Sequence, residues 1–180
     1  TSRGLGDVYK RQILINPIGA PALEGPKGIM TRLAVLYYSL GARLPERAGT
    51  ALLRNRLIVR VMSITMAKTS DPQLRRFIHD QHDTYFSRFA DRDVLRDAFV
   101  TSVSHDVSEF ASSISTPTLL IAAQRDDITP IEVERQLAER FDDATLVEIA
   151  EVGHLIHYET PAEAAGAVRR FLRIPVARGR

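Results

Sequence analysis

Apolar positions along this chain fall into two regimes. Ile13-Leu14-Ile15, Thr118-Leu119-Leu120-Ile121-Ala122-Ala123 and Thr145-Leu146-Val147-Glu148-Ile149 are short, nearly unbroken apolar runs rich in branched side chains. Runs of that length bounded by turn residues predict strands, and an unbroken one predicts a strand buried on both faces. Between residues 27 and 112 the apolar positions recur every third or fourth residue instead, which predicts helices. Four are expected. Gly28 to Leu40 carries Ile29, Leu33, Leu36, Tyr37 and Leu40, with Gly41 as its C-cap. Pro45 to Ala67 is apolar almost all round, with Leu52, Leu53, Leu57, Ile58, Val61, Met62 and Ile64. Pro72 to Phe89 opens on Ser70, Asp71 and Gln73 as capping candidates and keeps Leu74, Phe77, Ile78, Tyr85 and Phe89 on one stripe. Asp93 to Phe110 does likewise with Leu95, Phe99, Val103, Val107 and Phe110.

The second and third strand runs end in chemistry. Thr118 to Ala123 breaks abruptly into Gln124-Arg125-Asp126-Asp127-Ile128-Thr129-Pro130, so a buried strand delivers acids to a loop. Pro130 to Phe141 then predicts a helix: Thr129 and Glu132 form a capping box, Pro130 takes the first helical position, and Val133, Leu137 and Phe141 share a face. The next strand runs into Val152-Gly153-His154. Strand, helix, strand makes a right-handed crossover between parallel neighbours, which puts the acid loop and the histidine loop on one sheet edge. Together they are two thirds of a nucleophilic triad, in which the carboxylate fixes the imidazole tautomer and stabilises the imidazolium. Register favours Asp126 over its rival Asp127. The Gly153-His154 pair just past a strand favours His154 over His157, which reads as a structural residue at the start of the final helix. That helix opens on Pro161, with Thr160 and Glu163 as a capping box and Ala164, Val168, Phe171 and Leu172 on its buried face.

Pro117-Thr118-Leu119-Leu120-Ile121, Asp126 with Pro130 following, Gly153-His154, and His157-Tyr158-Glu159-Thr160-Pro161 resemble the C-terminal part of an α/β-hydrolase. That family orders its triad nucleophile, acid, histidine along the chain. The resemblance implies Asp126 as the acid and His154 as the general base. It also implies an α/β fold class: a partial α/β-hydrolase fold of three parallel strands with flanking helices plus an all-helical cap insertion. Residues 13–26 and 113–174 would form the core, 27–112 the cap, 1–12 a non-native or linker segment, and 175–180 a fraying tail. Ala123 stands where the family usually has glycine, a change that removes no chemical group. No Gly-x-Ser-x-Gly elbow occurs in the 180 residues. Ser39, Ser63, Ser87 and the serines from 102 to 115 lack flanking glycines and are rejected as nucleophiles. The expectation is therefore a C-terminal fragment of a serine-type hydrolase acting on an ester or related bond of an apolar small molecule, itself inactive. Epoxide, haloalkane or carbon–carbon bond hydrolysis on the same fold remains an alternative, as do a non-catalytic small-ligand-binding homologue and a lid-like module attached to a membrane or partner through Leu57 to Met66.

Composition narrows this further. With no cysteine, disulfides, thiol nucleophiles and Cys-rich zinc sites are excluded. The formal charge of +2 is small and the basic residues are scattered, so nucleic acid is not an expected partner. No apolar run approaches a bilayer span, and the expected location is cytoplasmic. His79 and His82, three apart on a helix, have a spacing that can bind a metal, but a solvated helix face explains them and no metal is expected. His105 and Asp106 read as exposed. No cofactor is implied. The surplus of apolar helix faces is expected to line a substrate pocket, with Met62, Phe77 and Tyr85 as its candidates. The oligomeric state is left open.

Overall fold

The computed structural model describes residues 11–21, 28–86 and 88–172, with residues 28–30 in backbone only. Expectations for residues 1–10, Gly25-Pro26, the Ile29 side chain, Ser87 and the tail from Arg173 lie outside the described residues. The chain forms two compact units, one of Thr1–Gly19 with Val107–Arg180 and one of Ala20–Asp106.

The first unit is built on a parallel sheet in the order β1 (Gln12–Ile15), β2 (Thr118–Ala123), β3 (Ala144–Ile149). Every residue of β2 is buried, because both faces of this central strand are covered. Leu119, Ile121 and Ala123 pack with Ile149, Ile156, Ala164 and Ala167 under α7 (Ile156–Glu159) and α8 (Pro161–Leu172). Leu120 points the other way, to Leu137 and Phe141 on the side of α6 (Ile131–Ala138). Each such aliphatic side chain contributes roughly 1.5–3 kcal/mol by leaving water.

Two helix starts differ from expectation. Pro130 is the N-cap of α6 and not its first turn, and neither it nor Thr129 closes a capping box, because the Thr129 hydroxyl is committed to Asp126. The expected face of Val133, Leu137 and Phe141 does turn inward, with Val133 half-buried, and Ile131 and Glu134 are buried as well. At α8 the Thr160 hydroxyl is buried without a hydrogen-bond partner, so that capping box is not made either.

The second unit is helical. Its elements are α1 (Gly28–Arg43), α2 (Glu46–Leu53), α3 (Arg56–Met66), α4 (Pro72–Tyr85) and α5 (Arg92–Ser104). The expected helix from Pro45 to Ala67 is broken because the Asn55 side chain accepts from the backbone N–H groups of Leu57 and Ile58, an N-cap that starts a new helix. Asp71 and Asp91 cap α4 and α5 in the same way. The last expected helix stops at Ser104, and two short 3-10 turns at Val107–Glu109 and Ala111–Ser113 replace its remainder. Gly41 is not a C-cap; it lies buried within α1, where a β-carbon would come 2.4 Å from Leu53 of α2. Gly49 of α2 is tighter still, its missing β-carbon 2.1 Å from the Gly41 carbonyl oxygen. Arg92 donates to the Gly41 and Leu44 carbonyls at 2.8 Å, placing a cation at the C-terminal end of α1. Tyr38 and Phe99 stack at 4.4 Å between α1 and α5.

Between α3 and α4, Ser63 is fully buried and its hydroxyl meets the Nδ1 atoms of His79 at 2.6 Å and His82 at 2.8 Å. A solvated face therefore fails to describe His82, which is 2% exposed. Among the described residues no group of three or more His, Cys, Asp or Glu is arranged to hold a metal ion. No described helix is long and apolar enough to cross a membrane.

Candidate active site

The parallel register brings the C-terminal ends of all three strands together. Ile15 pairs with Ile121 and Ala123 with Ile149, so the chain leaves each strand at neighbouring points of one edge. The ladder continues past the strands, as Gln124 N–H donates to Ile149 O and Arg125 N–H to Val152 O, both at 2.9 Å. These two bonds fix the acid loop against the histidine loop. Glu151, at φ 57°, makes the tight turn that sends the chain back toward the sheet edge before His154.

At that edge His154 Nδ1 lies 2.8 Å from Asp126 Oδ2. The rivals are elsewhere in character: Asp127 and His157 are both exposed, and neither joins this contact. Asp126 is buried and surrounded by donors. Its Oδ1 accepts from the Ile128 N–H at 2.7 Å and the Thr129 N–H at 3.1 Å, and its Oδ2 accepts from the Thr129 hydroxyl at 2.7 Å. Burial by itself pushes this carboxyl up, but the hydrogen bonds from His154 and Thr129, the histidine charge and the Ile128 N–H together hold it below its ordinary value. An ionised Asp126 therefore accepts a hydrogen bond from His154 Nδ1, and the ring, only partly buried, has Nε2 as its other nitrogen. Burial pushes the neighbouring His157 imidazole down, with His154 adding to the effect.

Three residues that belong to this site escape a reading by pattern. Thr129 looks like a helix cap, yet its hydroxyl serves Asp126. Asn16 sits just past β1 with φ 44° and is 7% exposed; its Oδ1 accepts from the Ala123 N–H and its Nδ2 donates to the His154 carbonyl, both at 3.0 Å. Glu134 on α6 is completely buried, with neither carboxyl oxygen hydrogen-bonded. Burial, reinforced by the Asp126 charge, pushes its pKa up to about 8. Its place on the face of Ile131 and Leu137 was the available signal, since a residue three positions from each must follow them inward.

Met62, Phe77 and Tyr85 do not converge on a described cavity. Met62 is half-buried, whereas Phe77 and Tyr85 are 51% and 57% exposed. A cleft of about 460 Å³ in the helical unit is lined instead by Arg54, Arg56, Asp83, Thr84, Arg88 and Phe89. A second, of about 710 Å³, lies beside Gln12 and Ile13 at the opposite end of β1 from Asn16.

Comparison with known proteins bears on the fold. A family model described as "TAP-like protein" matches residues 97–177. A protein of Pseudomonas syringae pv. syringae named as a carbamate hydrolase, RutD, is 37% identical over 86 residues, which are 48% of this chain and 33% of that protein. Among solved structures, olei00960, a hydrolase from Oleispira antarctica, superposes with a TM-score of 0.71 at 15% identity, covering 97% of this chain and 60% of that one. MGS-M2, an alpha/beta hydrolase enzyme from a Medee basin deep-sea metagenome library, gives 0.65 at 21% identity over 94% and 58%. A thermophilic esterase from Thermogutta terrifontis gives 0.62 at 21% identity over 96% and 58%. The chain thus spans about 60% of these solved structures and a third of the curated relative.

Proposed function

We propose that the chain, which carries a partial α/β-hydrolase fold, is a member of that family and supplies the acid and the general base of a nucleophile–Asp–His triad. In this reading His154 takes the nucleophile's proton on Nε2, while Asp126 keeps the ring in the required tautomer and balances the imidazolium. The nucleophile and the oxyanion-hole donors come from residues outside these 180, which contain no Gly-x-Ser-x-Gly. The reaction is hydrolysis of an ester or related bond in an apolar small molecule, through a covalent intermediate on that nucleophile. The helical unit Ala20–Asp106 serves as a cap whose apolar side chains, Met62, Phe77 and Tyr85 among them, select the substrate. The residues in hand call for no cofactor in this chemistry.

The observation that carries the reading is the 2.8 Å contact between a buried, four-donor Asp126 and His154. Two assays test it. The 180-residue chain, incubated with p-nitrophenyl acetate and p-nitrophenyl octanoate, gives no release above buffer; turnover would place the nucleophile within it and overturn the assignment. In the complete protein, Asp126→Asn and His154→Ala each lower kcat by about 10³–10⁴-fold with the fold retained. Full activity in either variant rules out the dyad. For the cap, Met62→Arg in the complete protein changes the ratio of octanoate to acetate hydrolysis, and an unchanged ratio removes Met62 from the substrate path.

A further inference from the structure

Asn16 holds an unusual place in the topology. β1 and β3 are not neighbours, since β2 lies between them. Yet the loop after β3, which bears His154, is tied to the residue that follows β1. Asn16 reaches across the end of β2, taking the Ala123 N–H on its Oδ1 and giving its Nδ2 proton to the His154 carbonyl, while its own N–H donates to Ile121 O at 2.9 Å. We propose that Asn16 is a positioning residue, clamping the backbone of His154 to the end of β2 so that the imidazole faces Asp126. The proposal rests on the reading of Asp126 and His154 as acid and base.

The chemistry of the position favours this residue type. The clamp needs one acceptor and one donor on a short side chain, which the carboxamide supplies in a single plane. The backbone is left-handed, φ 44°, a conformation asparagine tolerates and most residues do not. Aspartate has the acceptor but not the donor, and it adds a charge at the Asp126 edge of the sheet. Glycine fits the left-handed backbone and brings no amide. These two variants therefore separate the clamp from the turn: Asn16→Gly deletes both bonds while keeping the conformation, and Asn16→Asp retains the Ala123 bond while deleting the His154 one.

His154 itself gives the readout. In the 180-residue chain labelled with ¹⁵N-histidine, the Asp126-bound Nδ1–H gives a low-field proton resonance, and the ring ¹⁵N shifts report the Nδ1–H tautomer. Asn16→Gly is expected to abolish the low-field signal and to lower the Nδ1–H tautomer fraction at least twofold, with far-UV circular dichroism unchanged. Asn16→Asp is expected to do the same, because the donor to the His154 carbonyl is what it lacks. An unchanged low-field signal and tautomer ratio in Asn16→Gly would overturn the proposal. So would a failure of Asn16→Gly to fold, since the residue would then serve the sheet as a whole. A missing low-field signal in the unsubstituted chain would overturn the Asp126–His154 bond instead, which keeps the failure of the underlying reading distinct from the failure of the clamp.

Discussion

A carboxyl group buried without a donor is most stable when it keeps its proton, and Glu134 is in that condition. Its folded pKa is raised, so its contribution to stability is complete below the ordinary value of 4.5 and is lost as pH climbs through about 8. Across that interval the loss is on the order of 5 kcal/mol. Glu134→Gln removes the ionisation, and the melting temperature of the unsubstituted chain is expected to fall relative to this variant from pH 5 to about pH 8 and to level off above that. Parallel melting curves would show that Glu134 is solvated or partnered in solution. Thr129 gives a second prediction at this scale. Thr129→Val conserves volume but deletes a hydrogen bond to a buried carboxylate, which costs about 1.5–3 kcal/mol by chemical denaturation, while Thr129→Ser restores most of it. A Val variant as stable as the parent would return Thr129 to the role of an ordinary loop residue. Thr129 also shows where pattern reading stops. A threonine before a proline with a glutamate three positions on has the signature of a cap, and only the position of a distant carboxylate reveals that the hydroxyl is engaged elsewhere.

Helices were less legible than strands. A strand run announces itself by unbroken apolarity, and all three appear within a residue of their expected limits. A long apolar helical stretch does not announce its breaks, and the one at Asn55 depends on a side-chain amide outcompeting the helix for its own backbone donors. The close approach of α1 and α2 was hidden as well, since a glycine that permits packing and a glycine that ends a helix look alike in one sequence. It makes Gly49→Ala informative. Alanine raises helix propensity by about 1 kcal/mol, but its β-carbon would fall 2.1 Å from a backbone oxygen that cannot swing aside. Overpacking of this kind costs about 1–3 kcal/mol, so net destabilisation of the helical unit is expected, read as lower urea resistance of its amide protection. Stabilisation instead would mean that α1 and α2 lie farther apart in solution. The α3–α4 pair carries a pH dependence of opposite sign to Glu134. Burial, with Arg60 and Arg75, lowers the His79 pKa, so the neutral ring bonded to Ser63 is favoured above 6.5 and stability falls as pH drops below it. Amide exchange in α3 and α4, corrected for its intrinsic pH dependence, is therefore expected to quicken between pH 7.5 and 5.5; constant protection would exclude the effect.

Across the whole molecule, the described sheet has β1 at one edge, and Ile15 on it is 47% exposed. An apolar edge strand is a template for another chain. The 180-residue chain is accordingly expected to self-associate with rising concentration in light scattering, and Ile15→Lys to reduce that association; a monodisperse parent at high concentration would mean the edge is covered. The sheet also shows why Asp126 and His154 were readable as a pair and their setting was not. Asp126 and His154 sit at the ends of consecutive strands, a local relation that sequence order encodes. Asn16 reaches them from a strand more than a hundred residues away, and nothing in the sequence brackets that distance. The local relation has an outcome of its own. One contiguous strand–helix–strand segment brings Asp126 and His154 together by itself. On the proposed reading, mixing this chain with a second one bearing the elbow and its strand should reconstitute turnover by split-enzyme complementation, a recovery that His154→Ala in this half would abolish.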